Sequence, residues 1–98
     1  MAEIKLKTNN LEKAKSILGE VIETETLRLN YSLQLSKKRL AKFEEKYNVT
    51  SEVFIKKWAA EDLDGKDIEY VEWAGEFKLA SLINERLSTL KSIENVAT

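Results

Sequence analysis

The 98-residue chain contains no cysteine, no histidine and no proline, and only three glycines. Without cysteine there is no disulfide framework, no thiol nucleophile and no thiolate metal site. Without histidine the usual general base, the usual zinc ligand and the usual near-neutral pH switch are missing together. No apolar run approaches the ~18 residues of a membrane span, and Met1-Ala2-Glu3-Ile4-Lys5 is not a secretory signal. A cytoplasmic protein with no membrane contact is therefore expected, and Asn48-Val49-Thr50 reads as a chance glycosylation match. A dominant charge is lacking too: 16 basic residues oppose 17 acidic ones, for a formal charge of −1. Such a chain has no global field to draw it to nucleic acid, so binding there would need a local patch.

What the chain does have is apolar periodicity. Leu11, Ala14, Leu18, Ile22, Leu29, Leu33, Leu40, Phe43 and Tyr47 recur in steps of three, four and seven. They form the single stripe of an amphipathic helix over residues 10–47, on the order of 55 Å long. Between residues 17 and 35 a second row, Ile17, Val21, Leu27, Tyr31 and Leu35, makes the midsection apolar over more than half its circumference. A chain this small has little else to cover both sides. The second row is accordingly read as a self-association surface, giving a homodimer or a higher even oligomer. The alternative is that a later helix wraps around it.

Before this helix, residues 1–8 alternate, with Ile4 and Leu6 set between Glu3, Lys5 and Lys7. The period of two indicates a short strand or extended arm, which needs a partner to be stable. Thr8, Asn9 and Asn10 supply N-cap chemistry. After Asn48, Thr50 caps a short second helix over residues 51–61, with Phe54, Ile55 and Trp58 on one face and Lys56 and Lys57 pointing away. An acidic turn containing Gly65 follows, and Asp67 caps a third helix over residues 67–94. That helix carries Tyr70, Val71, Trp73, Ala74 and Phe77 early, then Leu79, Leu82, Ile83, Leu87, Leu90 and Ile93. On a straight wheel the two sets face nearly opposite ways, so either the helix bends at Gly75 or its halves meet different partners. The sum is one all-α domain over residues 1–98: a long helical hairpin with a short connecting helix.

Candidate chemistry is thin. Setting Gly65 at the glycine of a calcium loop puts Asp62 and Asp64 at ligand positions, but Ala60 and Val71 fall where the first ligand and the bidentate Glu belong. Glu20 and Glu23, with Glu69, Glu72 and Glu76, bear a faint resemblance to the magnesium motifs of dimeric all-α nucleotide pyrophosphatases. The second motif lacks its Asp, and Glu20 points away from the main stripe. Lys37, Lys38, Arg39, Lys42 and Lys46, with Lys56 and Lys57, form the one basic patch, interrupted by Glu44, Glu45 and Glu52. Arm, helix and capped helix in that order are similar to ribbon-helix-helix DNA binders, whose first helix is three times shorter. No catalytic, cofactor-binding or metal residue is assigned, and no cofactor is expected.

The segments Phe43-Glu44-Glu45-Lys46-Tyr47, Thr50-Ser51-Glu52-Val53-Phe54 and Glu72-Trp73-Ala74-Gly75-Glu76-Phe77, with the Asp/Gly turn between, resemble a set of short prokaryotic helical proteins. Some of these are antitoxins of toxin–antitoxin pairs. The resemblance covers residues 43–77 and implies a non-enzymatic interaction protein that covers a partner toxin enzyme encoded nearby. Trp58 and Trp73, with Tyr70, Phe54 and Phe77, fit a core where helices 2 and 3 meet the end of helix 1. The other reading makes Trp58, Tyr70, Trp73 and Phe77 the partner-binding residues, since aromatic side chains lead the anchors of protein interfaces.

Overall fold

The computed structural model describes residues 2–58, apart from the side chain of Trp58, and residues 68–93. Helix α1 spans Leu11–Tyr47, a short α2 spans Ser51–Val53 and runs on as a π-helical turn over Phe54–Trp58, and α3 spans Ile68–Ser92. The long helices pack side by side as a hairpin with the short one between them. Among the described residues there is no strand. The arm before α1 has no regular structure, and Ile4 and Leu6 are exposed.

Helix α1 begins and ends on asparagine. The Asn10 side chain accepts from the Lys13 amide at 3.1 Å, satisfying a first-turn donor. Asn48 takes the left-handed conformation at φ 54°, ψ 45°, and its amide donates to the Glu44 carbonyl. Asparagine is the residue besides glycine that accepts this geometry cheaply, so the chain reverses without a glycine. Two residues on, the Thr50 hydroxyl accepts from the Val53 amide at 3.3 Å. The Glu44 carboxylate accepts from the Ser51 amide at 2.8 Å, so the last turn of α1 also caps α2. The acidic turn, Asp67 and residue 94 lie outside the described residues.

The buried line of α1 runs Leu29, Leu33, Ser36 and Leu40, with Phe43 and Tyr47 half-buried beyond it. Its apolar members are the C-terminal part of the expected stripe, joined by Ser36, whereas Leu11 and Leu18 of that stripe are exposed. On α3 the facing line is Trp73, Phe77, Ala80, Ile83, Leu87 and Leu90, in steps of four, three, three, four and three. The expected conflict between two opposed arcs does not arise. Ala80, buried between Phe77 and Ile83, joins the halves into one line against α1, while Val71, Leu79, Leu82 and Ile93 fall outside it and are exposed. The helix is continuous through Gly75, where an added Cβ would meet nothing within 4 Å.

Pairing of Tyr47 with Tyr70 fixes the closed end of the hairpin. Counting back along both helices brings Leu90 level with about residue 27 of α1. At ~1.5 Å per residue α3 is about 37 Å long and α1 about 55 Å, matching the 56 Å long axis of the molecule. The first dozen residues of α1 therefore project past Ser92.

Candidate interaction surface

At the closed end the aromatic residues form core. Trp73 and Phe54 are fully buried and stack with ring centroids 3.9 Å apart and planes 3° from parallel. Phe43 and Tyr47 also stack on Trp73, each at 5.5 Å, and Tyr70 meets Phe54 edge-on at 5.3 Å. The indole N–H of Trp73 donates to Ser51 Oγ at 2.9 Å, and Ser51 is itself buried. Burying that N–H unpaired would be costly, and Ser51 removes the cost. Trp73 is thus inaccessible to a partner, contrary to the partner-binding reading of it. Tyr70 and Phe77 are half-buried and pack against the same core. The Trp58 side chain lies outside the described residues.

Polar contacts lock α3 to α1 along one edge. Ser36, buried on α1, donates to Glu76 Oε2 at 2.6 Å, and Arg39 Nη1 lies 3.5 Å from the other oxygen of that carboxylate. Lys46 and Tyr47 both donate to Glu69. The Lys46 hydrogen bond, then that of Tyr47, holds the Glu69 carboxyl below its ordinary pKa. Two cations of the expected basic patch are thereby engaged by α3. An open groove of about 460 Å³ there is lined by Arg39, Lys42 and Lys46 but also by Glu72 and Glu76, so its charge is mixed.

The five glutamates weighed as a metal site do not converge. Glu69 sits against Tyr47, whereas Glu20 and Glu23 lie on the projecting part of α1, about 40 Å away by helix rise. Among the described residues, no group of three or more acidic side chains is placed to hold a metal ion.

The open end presents a different surface. Beyond the reach of α3, Leu11 is 60% exposed, Ile17 51% and Val21 58%. Further along, Leu27 and Tyr31 are each 65% exposed on the side of α1 turned from α3. Leu35, the last of the expected row, is half-buried. Helix α3 does not wrap around this row. Beside it, Leu79 and Leu82 border an open groove of about 670 Å³ together with Arg28, Ser32 and Arg86. Arg28 makes a two-pronged contact with Glu25 one turn earlier, at 2.6 and 2.8 Å, which holds that carboxyl below its ordinary pKa.

These features define an all-α helical hairpin with one closed aromatic end and one bare apolar end. Comparison with protein-family models, with curated proteins and with solved structures finds no match. Among the described residues no helix is long and apolar enough to cross a membrane.

Proposed function

We propose that the protein works by binding other protein chains, with no chemistry of its own, and that the first of those chains is a second copy of itself. The observation that carries this reading is the exposure of Leu11, Ile17, Leu18, Val21, Leu27 and Tyr31 on a helix whose buried line runs only from Leu29 to Leu40. Apolar side chains repeated along one element are the mark of a surface meant to be covered. Light scattering at micromolar concentration should give a dimer or higher even oligomer. Replacing Leu27 and Tyr31 together with Glu should separate the chains while circular dichroism stays helical, because neither side chain belongs to the monomer core. A well-folded monomer of the unaltered chain at that concentration would sink the reading.

The similarity of residues 43–77 to antitoxin-like proteins supports a further partner, a small toxin enzyme encoded nearby. Because Trp73 is buried, the surface proposed for this partner is the exposed apolar pair Leu79 and Leu82. Co-expression with the neighbouring gene product, followed by co-purification, tests this. Leu82→Glu should abolish recovery of the partner without unfolding the chain.

A further inference from the structure

The projecting part of α1 is patterned in both hydrophobicity and charge. At 100° per residue, Leu11, Ala14, Ile17, Leu18, Val21 and Ile22 fall within an arc about 140° wide. Lys13 and Glu20 lie along one edge of that arc, seven residues apart and opposite in sign. Resting on self-association as proposed above, we infer that two copies pair antiparallel through these projecting ends, with the two-fold axis beside Ile17, and that each N-terminal arm lies along Leu27, Tyr31 and Leu35 of the other copy.

The charge pattern selects the orientation. A two-fold axis perpendicular to both helices brings the same edge of each together. With the axis beside Ile17, Lys13 of each copy faces Glu20 of the other, twice over. A parallel pair would instead bring opposite edges together at like residue numbers, setting Lys13 beside Lys15, a like charge, and leaving Glu20 beside the uncharged Gly19. The antiparallel register also places Leu11 against Val21 and Ile22 of the second copy, and Ala14, which is small, beside Leu18.

The arm follows from the same register. Asn10 comes level with about residue 23 of the second copy. From there an extended chain rising ~3.3 Å per residue carries Leu6 about 13 Å on, level with Tyr31, and Ile4 about 20 Å on, level with Leu35. Ile4 and Leu6 are 81% and 70% exposed, and Leu27 and Tyr31 are the bare apolar side chains within their reach. Bare Leu11, Ile17, Leu18, Val21, Leu27 and Tyr31 present roughly 600 Å² per chain, and the two arm residues bring the total close to the ~800 Å² per partner of a stable interface.

Because the chain has no cysteine, single introduced thiols report the geometry directly. Ile17→Cys should cross-link to itself on mild oxidation. Leu11→Cys should not, since its two copies would sit about 16 Å apart, beyond the ~7 Å Cα reach of a disulfide. Leu11→Cys mixed with Val21→Cys should give the heterodimer. Lys13→Glu should weaken the dimer about tenfold, and adding Glu20→Lys should restore it. Self-cross-linking of Leu11→Cys as efficient as that of Ile17→Cys would overturn the antiparallel pairing. A dimer by light scattering with no cross-link at Ile17→Cys overturns this inference while self-association stands. A monomer overturns both.

Discussion

Ser51 and Gly75 show how much rests on single side chains at the closed end. The Ser51 hydroxyl is the acceptor for the Trp73 indole N–H, and both residues are buried. Ser51→Ala leaves that donor without a partner, and an unpaired buried donor costs about 1–3 kcal/mol. Chemical denaturation should show a loss of that size. Stability unchanged within error would mean that water reaches the indole. Gly75 is the opposite case. It lies in mid-helix, exposed, with nothing within 4 Å of an added Cβ. A glycine there costs backbone entropy and contributes no packing, so Gly75→Ala should raise stability by roughly 1 kcal/mol. A fall instead would place another surface against that position.

Among the elements, the α1–α3 pairing has a titratable component. Lys46 and Tyr47 hold the Glu69 carboxyl below its ordinary pKa. A carboxyl lowered by folding contributes stability that is present above its unfolded pKa and lost as pH falls through the folded one. Glu69→Gln should therefore destabilise the hairpin at neutral pH, and its difference from the unaltered chain should shrink toward acid. A difference independent of pH would assign the effect to packing. The elements were largely legible in the sequence: the apolar stripe, Asn10 and Thr50 as caps, and the chain reversal after Tyr47 all follow from local chemistry. The course of α3 was not, because Ala80 is too small to stand out in an apolar pattern, yet it closes the line between Phe77 and Ile83. The role of Trp73 was not legible for a related reason. Periodicity shows that Trp73 faces something apolar, but only the fold shows that Phe54 and Ser51 fill that space. Of the second row on α1, Ile17, Val21, Leu27 and Tyr31 are exposed and Leu35 is half-buried, which is as far as periodicity and a short chain could foresee.

For the whole molecule, unequal helix lengths are the governing fact. The stretch around Leu29, Leu33 and Leu40 is held by α3, whereas the turns around Leu11 and Ile17 stand beyond it. A free helix of a dozen residues is marginal in water even when its nucleus is already formed, because each added turn gains little without burial. Its order should therefore depend on the second copy, and through mass action on concentration. Amide hydrogen exchange well below and well above the dimer dissociation constant separates the two halves of α1. Amides around Ile17 to Ile22 should exchange quickly in dilute solution and become protected as the concentration rises. Those around Leu33 to Leu40 should keep the same protection throughout, since their partner belongs to the same chain. Protection of the projecting turns that stays high on dilution would mean that this end is stable without a partner, and the self-association reading would lose its physical motive.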